Sequence, residues 1–301
     1  MRATLIANPL AGKGVIRGQL TEAVNVLEQA GWEVTICESL APGDATRIAR
    51  EAVAQGHEAV LVAGGDGTIN EAIQALAGSQ VALGYLPYGT VNVWARETGT
   101  PLDPIAASRA IVEGRTEPID LGLANDRYFL LMAGIGFDGE VVRRARAVER
   151  HKQRFGILPY VAVGLTAATR YRGADLELRY DGIIRRVQAL MLVVGNTRLY
   201  GGRFYLTPNA VANDGWLDLG IVKGKGPLAL ARQSIPLLLL GSTAYSDVEY
   251  VRVRELTVQS NEPIPLQLDG ELVGETPARI RVAPRALQVI VPRHFASDLI
   301  A

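Results

Sequence analysis

The chain has 301 residues, 48% of them hydrophobic, with 31 basic and 31 acidic side chains. That length can bury one large core or two ordinary ones, two being the better expectation, and a formal net charge of zero argues against a global basic surface for nucleic acid or an acidic disordered tail. One cysteine, Cys37, excludes an intrachain disulfide framework and a Cys-rich zinc site and fits a reducing cytoplasm, while His57, His151 and His294 are too scattered for an HExxH metalloprotease.

Residues 4–7 read as a first strand rather than a signal peptide. The loop Asn8-Pro9-Leu10-Ala11-Gly12-Lys13-Gly14 leads into a helix over 19–30 that buries Leu20, Val24 and Leu27 and stops at Gly31. This loop is not a P-loop, which would need Gly in place of Ala7 and Ser or Thr in place of Gly14. It reads as a wall of a nucleotide site or as a plain turn. A strand over 33–36 and a helix over 44–55 follow, then the apolar run 59–63 as a buried strand.

That run ends in Gly64-Gly65-Asp66-Gly67-Thr68-Ile69-Asn70-Glu71, with a helix expected over 70–76. Three glycines in four positions let backbone N–H groups approach a ligand, and the helix start adds unsatisfied donors and a positive dipole end. Such a corner suits phosphate. Asp66 would repel a bare phosphate but can hold a Mg²⁺ that bridges phosphate oxygens; the plainer alternative is a tight turn whose Asp caps the helix. Alternation of strands and helices predicts a parallel sheet, whose ligand sites lie outside the carboxyl ends of the strands, here at Asn8, Ser39 and residues 64–68.

A further strand over 81–86 ends in Pro87-Tyr88-Gly89-Thr90-Val91-Asn92-Val93-Trp94-Ala95-Arg96. The uncharged stretch 72–95 contains Gly78, Gly84, Pro87 and Gly89, which disqualifies it as a membrane span. Asp103-Pro104 caps a helix that ends at Gly114. From about residue 117 the pattern turns to strands, so a domain boundary is expected near 115–122. Gly134-Ile135-Gly136-Phe137-Asp138-Gly139 matches GxGxxG, but an apolar helix (158–171) follows it, against a dinucleotide-binding reading.

Arg143, Arg146, Arg150 and Arg154 share a helix face, either solvated or apposed to an anionic membrane; residues 226–240, ending in Leu237-Leu238-Leu239-Leu240, are either core or a second membrane contact. Asp214-Gly215-Trp216-Leu217-Asp218 sets two carboxylates four apart across a turn, which can ligate a hard cation or face solvent. Asp269-Gly270-Glu271 has turn chemistry in its first two residues and an acid that the turn does not require.

Taken together, these motifs resemble the diacylglycerol kinase catalytic-domain family, which includes bacterial soluble lipid kinases and the sphingosine and ceramide kinases. The likeness runs through NPxxGxG at residues 8–14, GGDGTxNE at 64–71, PxGTxNxxAR at 87–96, GxGFD at 134–138, DGxLD at 214–218 and DGE at 269–271. GGDGT also occurs in NAD kinases; the GTxNxxAR form favours the lipid kinases. One departure is Val93, where many members carry Asp.

The resemblance implies an α/β fold: an N-terminal three-layer domain with a parallel sheet (NAD kinase/phosphofructokinase-like) over 1–120, and a mainly β, sandwich-like lipid-substrate domain over 121–284. The tail, about 285–301, is expected to return to the first domain. It further implies transfer of the γ-phosphate of ATP, assisted by Mg²⁺, to a hydroxyl of a diacylglycerol-like or other lipid. Asp66 and Glu271 would be catalytic, Glu271 as the base. Asn8, Ser39, Gly64, Gly65, Asp66, Gly67, Thr68, Asn70, Glu71 and Thr90 would bind nucleotide. Asp214 and the carbonyls of Val211 and Trp216 would hold a structural cation, with Asp218 beside them. The expected setting is the cytoplasm, with peripheral contact to an anionic membrane and no nucleic-acid partner. An NAD kinase-like phosphotransferase and a non-catalytic nucleotide-binding regulator are the competing readings, and retention of both Asp66 and Glu271 disfavours the second.

Overall fold

The computed structural model describes residues 1–11, 16–145, 166–167, 171–240, 248–293 and 298–300. The chain divides into two compact units, one comprising Met1–Leu121, Val211–Gly215 and Ala283–Ala301, the other Gly122–Ala210 and Trp216–Val282.

In the first unit β1 (Arg2–Ala7), β2 (Glu33–Glu38), β3 (Ala59–Gly64) and β4 (Ala82–Pro87) form a parallel sheet in the order β2-β1-β3-β4. The last part of β17 (Ala278–Val291) adds to β4, pairing Gln288 with Ala82 and Val289 with Leu83. The run at 59–63 is buried at every position, as a strand covered on both faces must be. Ala3, Leu5, Ala59 and Leu61 pack with Leu20, Val24 and Leu27 of α1 (Ile16–Gln29) and with Ala107 and Ile111 of α5 (Pro104–Val112). Intervening residues such as Ile6, Val60 and Val62, equally buried, point the other way, the side on which α2 (Asp44–Ala54) and α3 (Asp66–Leu76) lie against the sheet and each other. This is the three-layer arrangement that the alternating pattern implies.

Residues 211–215 join this unit through the backbone: Asp120 N–H donates to the Ala212 carbonyl and Ala212 N–H to that of Leu299, both at 2.6 Å. A division of the chain by sequence position alone cannot find such a segment.

The second unit is mainly antiparallel. It contains the last residues of β5 (Arg115–Ala124), then β6 (Arg127–Phe129), β7 (Met132–Gly136), β8 (Ala174–Tyr180), β9 (Ile183–Gly195), β10 (Leu199–Tyr200), β11 (Phe204–Tyr205), β12 (Leu217–Lys223), β13 (Val248–Val253), β14 (Glu255–Ser260), β15 (Pro265–Leu268) and β16 (Glu271–Glu275). The long β9 pairs with β8 along its first half and with β7 and β12 along its second. β15 lies between β7 and β16. The inward set, including Ile135, Leu178, Leu192, Val194, Leu219, Leu256 and Leu266, forms one apolar cluster. Among the described residues, α6 (Phe137–Ala145) and α7 (Gly226–Leu240) accompany these strands.

Candidate active site

Strand order β2-β1-β3-β4 reverses direction between β1 and β3, and in open parallel sheets ligands bind outside the carboxyl ends at such a reversal. Here Asn8 follows β1, its N–H donating to the Ala63 carbonyl at 2.9 Å, and its side-chain amide donates to Thr68 Oγ1 at 3.1 Å. Ser39, buried after β2, donates its N–H to Ala7 at 2.8 Å. Tyr88 N–H reaches the Gly64 carbonyl from the end of β4, also at 2.8 Å. These bonds set Asn8 against Thr68, Ser39 against Ala7 and Tyr88 against Gly64.

α3 begins at Asp66, four residues before the start expected from apolar spacing, because the glycines hide the first turn from a periodicity count. Gly65 is the extended residue before it. A Cβ at Gly64 would lie 2.7 Å from Thr68 Oγ1, and one at Gly89 would lie 2.7 Å from the Cα of Gly65. Both glycines are thus space requirements. They bring the two loops backbone to backbone at the positive end of α3, leaving N–H groups of its first turn without helical acceptors.

Asp66 caps a helix, though not its own. Oδ2 accepts from Val93 N–H at 3.0 Å and Oδ1 from Trp94 N–H at 3.1 Å, the first turn of α4 (Val93–Thr98). The contact is to the backbone of residue 93, so Val in place of Asp leaves it intact, and the Val93 side chain is buried. Burial pushes the Asp66 carboxyl up; the Val93 and Trp94 N–H groups, then Arg96, oppose this. Each oxygen keeps a second lone pair, and a desolvated carboxylate gains from a cation, so this donor suits a hard divalent ion.

Asn92 holds a left-handed backbone (φ 54) before α4. Its amide donates to the Gly89 carbonyl at 3.0 Å, and its Oδ1 accepts from the Tyr85 hydroxyl at 2.7 Å. That hydroxyl also lies 3.2 Å from the Gly64 carbonyl, so Tyr85 joins the GTxN and GGDG loops. Thr90 is exposed and Asn70 is buried within α3. Glu71 turns to α2, where Oε2 accepts from Gly43 N–H at 2.9 Å and Ala45 N–H at 3.3 Å.

Asp120 is fully buried at the edge of this unit, with Oδ2 on Gly215 N–H at 2.6 Å and Oδ1 on Arg285 N–H at 2.7 Å. Burial pushes its carboxyl up, and the neighbouring Asp214 adds to this. Asp120 belongs to none of the sequence motifs; its sequence signal is an acid inside the apolar strand pattern Pro118-Ile119-Asp120-Leu121. Val211 and Asp214 are partly exposed in the first unit, Trp216 in the second; Asp218 is buried on β12. Among the described residues no three His, Cys, Asp or Glu side chains gather as a metal site.

In the second unit Asp269 (φ 49) and Gly270 (φ 85) form the two-residue turn between β15 and β16. The Asp269 carboxylate accepts from Leu130, Leu131 and Met132 N–H at 2.8–2.9 Å. Glu271, directly after the turn, is partly exposed and receives Arg127 Nη2 on Oε2 at 2.5 Å. In α6, Arg143 and Arg144 both pair with Glu140. Arg146, Arg150, Arg154 and the helix expected over 158–171 lie outside the described residues except at 166–167 and 171, as do the side chains of Leu237–Leu240. No helix among the described residues is long and apolar enough to cross a membrane.

The parallel-sheet unit with its glycine-lined corner and the mainly antiparallel second unit correspond to two matched family domains. Residues 2–124 match the family "Diacylglycerol kinase catalytic domain", and residues 132–291 match "YegS C-terminal NAD kinase beta sandwich-like domain". The chain is 32% identical to the diacylglycerol kinase of Bacillus subtilis strain 168, covering 99% of both chains, and 36% identical to that of Mycobacterium tuberculosis strain H37Rv, covering 97% of this chain and 96% of that one. The crystal structure of a diacylglycerol kinase from Bacillus anthracis strain Sterne is similar at TM-score 0.77 and 25% identity, covering 98% of each chain. Another structure from that strain is similar at TM-score 0.83 and 28% identity, covering 98% and 96%. The chain belongs to the diacylglycerol kinase catalytic-domain family, and it is a kinase of the lipid kinase class.

Proposed function

We propose that this enzyme transfers the γ-phosphate of ATP to a hydroxyl of a diacylglycerol-like lipid. The observation that carries the nucleotide half is the meeting of Asn8, Thr68 and the start of α3 at the β1/β3 reversal. There the N–H groups of residues 65–67 would bind phosphate oxygens, with the Thr68 side chain, Asn8, Ser39 and Thr90 around them, the Thr68 N–H being taken by the Gly65 carbonyl at 3.0 Å; Asn70 and Glu71 would act through the position of α3. The lipid half draws support from the relatives' activity as named. Leu228, 85% exposed on the first turn of α7, is a ready peripheral contact for a membrane holding the acceptor.

Glu271 takes the proton of the lipid hydroxyl as that oxygen bonds to the γ-phosphorus. The bond from phosphorus to the β,γ-bridging oxygen breaks and ADP leaves. Arg127 orients Glu271 by holding Oε2, while Oε1 accepts no hydrogen bond from the described residues. Mg²⁺, when bound, supplies neutralisation of charge on the transferring group, and Asp66 would hold it. Asp214 with the carbonyls of Val211 and Trp216, and Asp218 beside them, would hold a second, structural cation.

The test is transfer of labelled γ-phosphate, with Mg²⁺, onto diacylglycerol, monoacylglycerol, ceramide, sphingosine, undecaprenol and NAD presented in parallel. Label on diacylglycerol is the expected result. Label on NAD alone would overturn the proposal.

A further inference from the structure

The GxGFD stretch has no part in the chemistry above, yet its acid is the most enclosed carboxyl among the described residues of the second unit. Asp138 is 3% exposed at the start of α6. Its Oδ1 accepts from the Tyr200 hydroxyl and its Oδ2 from Gln267 Nε2 at 2.5 Å. The other end of that Gln267 amide, Oε1, accepts from Gly270 N–H at 2.7 Å. Gly270 immediately precedes Glu271.

Hydrogen-bond accounting fixes the polarity of this chain. A backbone N–H can only donate, so the Gln267 oxygen must face Gly270 and its NH₂ must face Asp138. The Asp138 oxygen on that side must then be an acceptor. Gln267 pairs across the sheet with Gly134, where a Cβ would fall 1.9 Å from Asp138 Oδ2 and 2.6 Å from Gln267 Nε2. The first glycine of the motif is therefore the space in which the acid meets the amide.

We infer that Asp138, acting through Gln267, is a positioning residue for Glu271: it fixes the amide that anchors the Asp269-Gly270 turn and so sets where the base stands. This rests on the assignment of Glu271 as the base. A misplacement of about 1 Å at such a group can cost on the order of a hundredfold in rate.

The test exchanges donor for acceptor. Gln267→Glu sets two carboxyl groups against each other, and Asp138→Asn leaves the Tyr200 hydroxyl and the Gln267 NH₂ one acceptor between them. Asp138→Asn with Gln267→Glu restores every bond: the Asn NH₂ donates to Glu, the Asn oxygen accepts from Tyr200, and the second Glu oxygen accepts from Gly270. Each single variant is expected to lose about a hundredfold in kcat with KM for ATP unchanged, and the double variant to return to within about tenfold of the parent. Added to Glu271→Gln, the change at Gln267 should lower kcat no further, whereas a merely structural defect would lower it again.

If the double variant is no faster than the slower single one, or if Gln267→Glu in the parent leaves kcat unchanged while Glu271→Gln abolishes it, the inference is overturned and the base assignment stands. If Glu271→Gln itself keeps parental kcat, the base assignment falls and the inference with it.

Discussion

Asp66 and Glu271 carry the proposed chemistry from two differently built settings. Asp66 is fixed by main chain, both oxygens on the first turn of α4, and is pushed toward protonation by burial. Glu271 is fixed by side chains, Arg127 on its carboxylate and Gln267 on the preceding turn, and stays partly exposed. A group that moves a proton needs access to it, whereas a group that holds a cation gains from desolvation and rigidity. The difference predicts that changes at the first site damage fold and function together, and changes at the second damage function alone.

The largest effect is expected from Asp66→Asn. An amide there turns NH₂ toward either Val93 or Trp94 N–H, so kcat/KM should fall by at least about a thousandfold and stability by about 1–2 kcal/mol. Steady-state kinetics beside a thermal melt would check both. Glu271→Gln should lose about a hundred- to ten-thousandfold in kcat, as removal of a general base does, with an unchanged melting temperature. Next comes Asp214→Ala, read by melting with Mg²⁺ and with chelator. The parent should gain up to about 2.7 kcal/mol with metal at a hundredfold its dissociation constant, and the variant should lose that gain.

The smallest effect should come from Glu249, which Arg185 holds at 2.8 Å and Lys223 at 2.7 Å. The Arg185 hydrogen bond, then that of Lys223, lowers its carboxyl from 4.5 to about 2. A lowered folded pKa stabilises above the unfolded value, and the contribution is lost as pH falls from 4.5 toward about 2. Because the pair is solvent-screened, Glu249→Gln should cost less than about 1 kcal/mol at pH 7, and the cost should vanish once the pH is well below the folded value of about 2.

Much of this contrast was legible in the residues. Gly64 to Thr68 and Asp269-Gly270 are turns whose chemistry is written in adjacent positions, and the burial of 59–63 follows from a single run. Local pattern could not show that Asp66 caps a helix 27 residues on, that Tyr85 joins two loops, or that Asp138 reaches Gln267 across 129 residues. Those bonds depend on which strands become neighbours, and no spacing in the chain encodes that. The early start of α3 was hidden for a simpler reason: glycine carries no apolar side chain to register a period.

The most direct measurement is ATP affinity beside turnover in Asp66→Asn and Glu271→Gln. The account predicts that Glu271→Gln binds ATP within about twofold of the parent while turnover collapses, and that Asp66→Asn loses both. Equal loss of ATP affinity in the two variants, or parental turnover in Glu271→Gln, would contradict it.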